Sequence, residues 1–488
     1  MKRYVIGLDE GTTSCRSVLY DIQTNSILNI VGAPFKQYYP KIGWVEQDAE
    51  EIWASQYYTF KKVLSENKIK PEEVLGVGIT NQRETVVAWD KSTGKPITRA
   101  IVWQCRRTSK FIESLSKEML DKIKEKTGLI ADAYFSASKI KWILENVPKA
   151  KTLIKQHNLC VGTIDSYLSF KLTGKFYTDT TNASRTMLFN IHKMCWDDEL
   201  LDFFKIPKEI LPEVVDCNHI IGNLIDFPEI PLCAMIGDQQ SSLFGQSCLN
   251  KGQAKATYGT GCFVLLNSGT KPASVNNMLT TIAYTINGKT NYALEGSVFS
   301  ACNTINWMQH NLNFFEKAQE TEKMALSVPD TDGVYFVPAF TGLGAPYWNS
   351  NSKGTIIGLT LNTKKEHIVR AGLESMAYNV KAILDEMKLA NQNVSELRVD
   401  GGGSRNNFLL QFQANMINKP VVKNNNTEAT AMGAIYMVLV ATNTCSISDI
   451  KNMFYSSKTF ESEIAPKTRQ KLYGKWEKAV KRTFDWDL

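Results

Sequence analysis

The stretch GLDEGTTSCRS, residues 7–17, decides the fold class of this chain. An apolar run ends at the carboxylate of Asp9, a glycine and three hydroxyl residues follow, and a second apolar run begins at Val18. Short apolar runs separated by such residues are typical of two β-strands joined by a tight turn. Backbone N–H groups and hydroxyls in a turn of this kind can together hold one anion. The stretch therefore predicts either a phosphate-holding hairpin or an ordinary turn that needs a glycine.

A second stretch of the same design, AKATYGTGCFVLLNSG, begins at Ala254 and turns at Gly259, Thr260 and Gly261. Two such hairpins, together with a length of 488 residues, predict two similar α/β domains, because a chain this long exceeds one comfortable core. We place the domains at residues 1–246 and 247–488. If the two turns face each other across a cleft, they can clamp a phosphate chain from both sides.

The first part of the chain carries further local signals. Its apolar runs predict three opening strands at 4–8, 16–20 and 27–31. Asp48 predicts a helix N-cap, with Glu51 three residues on as its capping-box partner. Strand-like runs follow at 74–79 and 85–89, and helix and strand patterns then alternate, as expected of an α/β chain.

The composition narrows the classes of function. The net charge of +7 is modest and the lysines are interspersed with acids, so we expect no nucleic-acid binding. No apolar stretch approaches the roughly 18 residues that span a membrane, so we expect no membrane insertion. The ten cysteines include no C-x-x-C pair. That pattern is typical of reduced thiols and predicts a cytoplasmic protein.

Other nucleotide-binding signatures are missing from the sequence. The Gly-Lys-Thr at 288–290 has Ala283 where the first glycine of a P-loop belongs. No G-x-G-x-x-G opens a helix, and there is no H-R-D catalytic loop. A kinase with this sequence would therefore hold ATP with backbone amides, hydroxyls and Mg²⁺ instead of a P-loop lysine.

Two stretches nearer the start carry further candidate residues, one a charged pair and the other a tryptophan. In GITNQRETVVAW, residues 78–89, Arg83 and Glu84 fall between two predicted strands and therefore in a loop. They predict either a grip on two adjacent hydroxyls of a polyol or a solvated ion pair. Trp103, in IVWQCRRT, predicts either an aromatic wall of a polyol pocket or a core side chain.

Two later stretches carry candidate chemistry. Asp238 and Gln239 follow a predicted strand in IGDQQSSLFGQ, where a carboxylate suits a general base or a helix N-cap. In RVDGGGSRNNFLLQFQ, the glycines 401–403 either let a ligand approach the backbone or form a tight strand-to-helix turn. Asn406 after them caps a helix or meets a base or ribose.

Nine segments, in the order in which they occur, resemble the FGGY family of carbohydrate kinases. They are DEGTTS, GITNQRET, AIVWQCRRT, YFSASKIKWILEN, TNASRTMLFNIH, GDQQSSLFGQ, TYGTGCF, VPAFTGLGAPYW and VDGGGSRNNFLLQFQ. The resemblance runs from near Tyr4 to near Trp476. Within the family, TNQRET and WQCRRT are most similar to the members that act on glycerol.

The resemblance implies two actin-like ATPase (ribonuclease H-like) domains with an interdomain catalytic cleft. It implies ATP-dependent phosphorylation of glycerol to sn-glycerol 3-phosphate with Mg²⁺, and we expect a homodimer or homotetramer. The expected glycerol contacts are Arg83, Glu84, Trp103, Tyr134, Asp238, Gln239 and Phe263. The expected nucleotide contacts are Thr12, Thr13, Ser14, Arg16, Gly259, Thr260, Gly402 and Asn406. Asp9 would hold Mg²⁺ and Asp238 would act as the general base.

The sequence departs from the family pattern at three positions. Glu10 stands where the family has Gln, which adds a negative charge that attracts Mg²⁺ or faces solvent. Cys302 stands where relatives have a nucleotide-contacting glycine, and Asn306 replaces a Gln, so those two contacts are not carried over. Two other functions remain open: a family member acting on a larger sugar, and a non-catalytic actin-like protein. The joint presence of Asp9 and Asp238 with the polyol-gripping pair disfavours the latter.

Overall fold

The computed structural model describes residues 2–425, 428–454 and 456–486. The strands of the first half are β1 (Tyr4–Glu10), β2 (Ser14–Asp21), β3 (Ser26–Pro34), β4 (Gln37–Tyr38), β5 (Glu46–Gln47), β6 (Val74–Asn81), β7 (Val86–Asp90), β8 (Ala100–Ile101), β9 (Leu159–Thr163), β10 (Tyr177–Asp179), β11 (Phe189–Asn190), β12 (Cys195–Trp196), β13 (Glu213–Val215), β14 (Gly222–Asn223) and β15 (Pro231–Gly237). Its helices are α1 (Ala49–Glu66), α2 (Ser109–Glu113), α3 (Lys117–Thr127), α4 (Ser136–Asn146), α5 (Pro148–Lys155), α6 (Ile164–Thr173), α7 (Thr180–Ala183), α8 (Asp198–Phe204) and α9 (Asp238–Gly245).

The second half continues the same alternation. Its strands are β16 (Gln253–Tyr258), β17 (Cys262–Gly269), β18 (Leu279–Ile286), β19 (Lys289–Val298), β20 (Tyr335–Val337), β21 (Thr355–Ile357), β22 (Glu396–Asp400), β23 (Val421–Asn424) and β24 (Ser456–Phe460). Its helices are α10 (Cys302–His310), α11 (Glu320–Leu326), α12 (Lys365–Leu389), α13 (Asn407–Ile417), α14 (Ala429–Ala441), α15 (Ile447–Asn452) and α16 (Pro466–Lys481). Short 3₁₀ turns lie at Pro71–Glu73, Lys208–Ile210 and Gly402–Arg405. In the described part of the chain, no helix has the length and apolar character to cross a bilayer.

The first sheet has the strand order β14-β15-β6-β1-β2-β3. The three predicted opening strands are present, each longer than expected, and β1 and β2 pair antiparallel around the glycine turn. Strands β1, β6 and β15 run parallel, with Asp9 opposite Thr80 and Gly237 opposite Asn81. The residues that follow these three strands therefore emerge at one edge of the sheet, where ligands bind in open α/β sheets.

The second sheet repeats this plan with the order β18-β19-β17-β16-β22-β23-β24. Strands β16 and β17 form the predicted second hairpin, and β16, β22 and β23 run parallel. Thr257 lies opposite Asp400, so the second turn and the three glycines leave the same edge. A Cβ on Gly401, whose φ is +81°, would lie 2.5 Å from the Tyr258 carbonyl oxygen, so this close approach requires glycine. The duplicated sheet confirms the prediction of two related α/β units.

Helix α1 begins where the sequence predicts, with Asp48 as its N-cap. The Asp48 carboxylate accepts from the backbone N–H of Glu50 at 2.9 Å. The predicted capping-box partner is wrong, because Glu51 instead accepts from the hydroxyl of Tyr38 at 2.7 Å.

One helix of the second half packs onto the first sheet. Helix α14 contacts β1, β6 and β15 and lies against α9. A Cβ on Gly433 would lie 1.9 Å from the backbone oxygen of Ser241, so the two helix backbones touch there. The two halves are thus joined by this helix pair as well as by the chain that leads from β15 to β16.

Candidate active site

The end of β1 places two acids at the edge of the first sheet. Asp9 is 2% exposed and its Oδ2 lies 2.5 Å from Nη2 of Arg16, which also pairs through Nη1 with Glu428 at 2.7 Å. Burial raises the pKa of Asp9, and the charge of Arg16 opposes that shift. The carboxylate is therefore held by one guanidinium at the position where the first turn begins.

Glu10, the departure from the family pattern, is fully buried. Its Oε1 accepts from Nε2 of Gln82 at 2.7 Å and its Oε2 accepts from the Gln82 backbone N–H at 3.2 Å. Burial raises the pKa of this carboxyl well above its ordinary value. Of the two alternatives for Glu10, exposure to solvent is wrong, since the buried side chain anchors the start of the loop that carries Arg83.

Two predicted pocket aromatics lie together beside the first turn. The indole Nε1 of Trp103 donates to Oγ1 of Thr12 at 3.1 Å, and its ring meets the ring of Tyr134 edge-on at a centroid distance of 5.6 Å. Burial raises the pKa of the Tyr134 hydroxyl, which stays neutral. Trp103 is only half-buried, so it fits an aromatic wall better than a core side chain.

The turn itself leaves polar groups accessible. The backbone N–H of Gly11 donates to the Ser14 carbonyl at 3.0 Å, which closes the turn. Thr13 is exposed, while Thr12, Ser14 and Arg16 are half-buried. These four predicted nucleotide contacts therefore surround one accessible turn next to Asp9.

Arg83 and Glu84 lie in the loop between β6 and β7, as the sequence predicts. They are 2% and 1% exposed, so the alternative of a solvated ion pair is wrong. Nη1 and Nη2 of Arg83 donate to the two carboxylate oxygens of Glu295 at 2.7 and 3.0 Å, and its Nε lies 3.1 Å from Oδ1 of Asp238. Arg83, which follows a strand of the first sheet, thus contacts both the candidate base Asp238 and Glu295 on strand β19 of the second sheet.

Glu84 occupies the left-handed backbone region, with φ at +61°. Its carbonyl accepts from Oγ of Ser136 at 3.1 Å and from Nζ of Lys139 at 3.2 Å, and Lys139 also donates to the carbonyl of Tyr134. Non-glycine residues pay a conformational cost in this region. Ser136 and Lys139 on α4 therefore stabilise an unfavourable backbone conformation of Glu84. In this conformation the Glu84 carboxylate points inward and contacts Arg185.

Sequence reasoning missed the partners of this pair. Nε of Arg185 donates to Oε1 of Glu84 at 2.6 Å, and its Nη2 donates to Oε1 of Glu295 at 3.0 Å. Burial opposes ionisation of Glu295, but Arg185 and Arg83 lower its pKa to about 2. The sequence does contain a sign of this ion pair, because Glu295 lies inside the apolar run of β19. A charged side chain in such a run is buried only when it has charged or polar partners. Arg185 lies in the TNASRTMLFNIH segment.

Asp238 is the first residue of α9, and Gly237 takes the N-cap position. The alternative that Asp238 is an N-cap is therefore wrong. The side chain is 26% exposed, and Oδ1 accepts from the Gln239 backbone N–H at 2.7 Å while Oδ2 accepts from Nε2 of Gln239 at 3.2 Å. Burial raises the pKa of Asp238, and Arg83 and then Lys255 oppose the shift.

The second turn is built from its own backbone. The N–H of Gly259 donates to the carbonyl of Gly261 at 2.9 Å, and Thr260 is exposed. Phe263 lies beyond the turn on β17, opposite Thr257, and is half-buried. Cys302 begins α10, and its Sγ lies 2.9 Å from where a Cβ on Gly403 would be, so the thiol fills space beside the glycine loop.

Asn406 is the N-cap of α13, since its Oδ1 accepts from the Leu409 N–H at 3.0 Å. Its Nδ2 donates to Thr321 at 3.3 Å. The predicted cap is confirmed, and the predicted contact with a base or ribose remains a prediction. Gly402 is exposed and has open space around its Cβ position. The departure Asn306 lies in α10, four residues after Cys302.

The donor set beside the first turn fits Mg²⁺. Among the described residues, no group of three or more His, Cys, Asp or Glu side chains forms a cation cage. Mg²⁺ is usually bound by one or two carboxylates together with substrate phosphates and water, not by a cage of protein ligands. Asp9, beside a turn that presents hydroxyls, matches that requirement.

Duplicated ribonuclease H-like sheets with a glycine turn on each define an actin-like ATPase fold. The model of the FGGY carbohydrate kinase N-terminal domain matches residues 4–245, and that of the C-terminal domain matches residues 254–442. The chain therefore belongs to the FGGY family of carbohydrate kinases.

The relatives of this chain include glycerol kinases that align over its whole length. The chain is 46% identical over 491 residues to glycerol kinase of Thermococcus onnurineus and 48% identical over 497 residues to glycerol kinase of Carboxydothermus hydrogenoformans, covering 100% of this chain and 99% of each relative. Glycerol kinase of Plasmodium falciparum with ADP superimposes with a TM-score of 0.92 at 35% identity, over 98% of both chains. Gluconate kinase of Lactobacillus acidophilus, at 23% identity and a TM-score of 0.88 over 98% of both chains, shares the fold.

Proposed function

We propose that this chain transfers the γ-phosphoryl group of ATP to glycerol and forms sn-glycerol 3-phosphate, for glycerol catabolism and the supply of glycerol 3-phosphate. The observation that carries this function is the buried loop pair Arg83–Glu84 at the edge of the first sheet, where Arg83 also contacts Asp238. The full-length glycerol kinase relatives support the choice of substrate.

The side chains around Arg83 and Glu84 are suited to binding a small polyol. Arg83 donates and Glu84 accepts, which are the two roles that adjacent hydroxyls require. Among contacts of described residues, Glu84 uses Oε1 for Arg185 and makes no hydrogen bond through Oε2, so Oε2 can accept from a hydroxyl. Trp103 and Tyr134 form the neighbouring wall, and Gln239 and Phe263 complete the proposed set.

Asp238 acts as the general base in this proposal. A carboxylate positioned to accept the proton of the attacking hydroxyl is a recurring part of phosphoryl transfer, which otherwise depends on alignment and charge stabilisation. Arg83 fixes one oxygen of Asp238 and favours its ionised form, while burial raises its pKa toward the working range. Burial thus makes this carboxylate more basic, and the guanidinium beside it opposes its protonation.

The remaining residues would hold the nucleotide. The first turn and Arg16 would contact the phosphates from one side, and Gly259, Thr260, Gly402 and Asn406 from the other. Asp9 would hold Mg²⁺, which neutralises phosphate charge when it is bound. Closure of the cleft would exclude water, the competing acceptor of the phosphoryl group.

A coupled ADP-release assay tests the proposal. Purified protein is offered glycerol, dihydroxyacetone, xylulose and gluconate in turn. We expect kcat/KM to be highest for glycerol. A higher value for xylulose or gluconate would favour the larger-sugar alternative, and ADP release that no substrate stimulates would favour a non-catalytic role.

We further propose that the enzyme works in the cytoplasm as a homodimer or homotetramer, and that residues 1–246 and 247–488 are its two domains. All ten cysteines are free thiols, and seven of them are buried, which suits a reducing compartment. Light scattering coupled to gel filtration would measure the assembly, which should have two or four times the mass of the 54.9 kDa chain.

A further inference from the structure

We propose that Lys255 is a positioning residue for Asp238, which it orients through Gln239 and keeps ionised through its positive charge. The inference rests on the proposed function, in which Asp238 is the general base. Neither the sequence signals nor the family resemblance singles out this lysine.

Lys255 lies on β16 and is fully buried, between the buried Ala254 and Ala256. Its Nζ donates to Oε1 of Gln239 at 2.5 Å and to Oγ1 of Thr257 at 2.9 Å. Removing an ammonium from water is costly unless charged or polar partners compensate it. An apolar side chain would fill this position without the cost of a buried charge. We therefore infer that the ammonium acts on the adjacent site.

The bond to Gln239 fixes the direction of its amide. An ammonium donates and never accepts, so the oxygen of the Gln239 side chain must face Lys255. The amide nitrogen is then turned toward Asp238, where Nε2 lies 3.2 Å from Oδ2. Oδ1 is contacted by Nε of Arg83 at 3.1 Å and by the Gln239 backbone N–H at 2.7 Å. Both carboxylate oxygens are therefore held, and Lys255 sets the contact at Oδ2.

The hydrogen bond from Lys255 to Thr257 begins a chain of contacts that leads toward the residues proposed to bind the nucleotide. Oγ1 of Thr257 lies 3.2 Å from Oγ of Ser242, which donates to Oδ2 of Asp400 at 2.9 Å. Asp400 ends β22 immediately before the glycine loop 401–403. Lys255 thus lies between the base and the strand end that leads into the glycine loop.

The charges around the two groups show why the ammonium matters to Asp238. The charges that act on Asp238 are those of Arg83 and Lys255, and the charge of Asp238 in turn raises the pKa of Glu10 on β1. Arg83 is already paired with Glu295 through both terminal nitrogens. The charged groups that act on Lys255 are Asp400, Asp238, Arg83 and Glu295. Burial lowers the pKa of Lys255, and the carboxylates of Asp400 and Asp238 counteract that shift.

The test compares Lys255→Met with Lys255→Gln in glycerol-dependent ADP release from pH 5 to 9. Loss of a nearby positive charge raises the pKa of a carboxyl group, so the acidic limb of kcat/KM should move up by about one pH unit in both variants. Loss of the restraint on Gln239 should lower kcat about tenfold in the Met variant. The Gln variant keeps a donor without the charge, so its kcat should fall less. Lys251→Met, at an exposed lysine four residues earlier on the chain, is the matched control and should change neither quantity.

Calorimetric titration with ADP checks that each variant keeps its nucleotide site. A variant that binds ADP like the wild type, with unchanged kcat and an unmoved acidic limb, overturns the inference. Loss of ADP binding in both variants also overturns it, because Lys255 would then serve folding. Failure of the proposed function is a separate result, since it appears as wild-type protein that shows no turnover with glycerol.

Discussion

Nε of Arg83 lies 3.1 Å from Oδ1 of Asp238, so the residue proposed to grip the polyol also holds the proposed base. The same guanidinium is paired with Glu295 on the second sheet. In the proposed function, substrate recognition, proton transfer and the contact between the two halves of the molecule therefore all depend on Arg83.

Replacing Asp238 with Asn should lower kcat for glycerol by about 10²–10⁴, because the amide keeps the shape but cannot accept the proton. ADP binding should persist in calorimetric titration, since the phosphate turns are untouched. Asp385→Asn, at a surface carboxylate paired with Lys381, is the control and should turn over like the wild type. Near wild-type turnover by Asp238→Asn would show that this carboxylate is not the base.

Arg83→Ala should affect both substrate binding and stability. Loss of a charged donor to a hydroxyl costs about 1.5–3 kcal/mol of binding, which should raise KM for glycerol if the contact is equal in ground and transition states. Breaking a buried ion pair typically costs about 3–5 kcal/mol, so the midpoint of denaturant unfolding should also fall.

The control for that variant is Arg106→Ala, whose half-exposed guanidinium pairs with Asp132 at 2.5 Å. A surface pair of this kind is worth about 0–1 kcal/mol, so its midpoint should barely change. Unchanged glycerol kinetics in Arg83→Ala would place the polyol pocket elsewhere.

Lys139→Met should change stability in a pH-dependent way. Burial lowers the pKa of Lys139 to about 7, whereas a lysine in the unfolded chain titrates near 10.4. Between these values the unfolded state binds more protons, so the lysine's contribution to wild-type stability rises with pH by up to about 1.4 kcal/mol per unit. Below a pH of about 7 the folded protein holds Lys139 as a buried ammonium, and the full free-energy cost of burying that charge is present. The Met variant lacks this titration, so its stability relative to the wild type should be greater at pH 6 than at pH 9.

Denaturant midpoints of both proteins, measured across that pH range, check the prediction. Lys141→Met on the same helix removes a lysine paired with Glu145 near the surface. That substitution should change the free energy of unfolding by about 0–1 kcal/mol at most. A constant difference between Lys139→Met and the wild type would show that Lys139 does not titrate in this range.

Ligands should close the cleft. Because water competes with glycerol for the phosphoryl group, catalysis requires a closed site, and closure commonly follows substrate binding. Small-angle scattering should show a smaller radius of gyration with glycerol and a non-hydrolysable ATP analogue together than with either alone. The same radius under all three conditions would argue against domain closure.

The sequence predicts correctly the features that are set by residues close together along the chain. The two hairpins, the Asp48 and Asn406 caps and the loop position of Arg83 follow from short apolar runs and turn residues. The partners of Arg83 were not predictable in this way, because Glu295 is 212 residues distant and meets it only when the two sheets pack. Lys255 was missed for the same reason, since its role depends on α9 and not on its own strand.

The packing of α14 on the first sheet determines whether the two halves of this protein can be produced separately. Ile435 and Val438 approach the strand glycines Gly7, Gly76 and Gly78 closely enough that a Cβ on those glycines would lie 2.9 to 3.2 Å from them. A fragment ending at residue 246 would lose that helix and present a bare apolar face of parallel strands to water. Such a fragment should be recovered as aggregate, and adding back the separate remainder should not reliably rescue it. Although the two sheets repeat one plan, α14 of the second half covers the first sheet and α9 of the first half contacts strands of the second sheet, so we expect neither half to work as a separate piece.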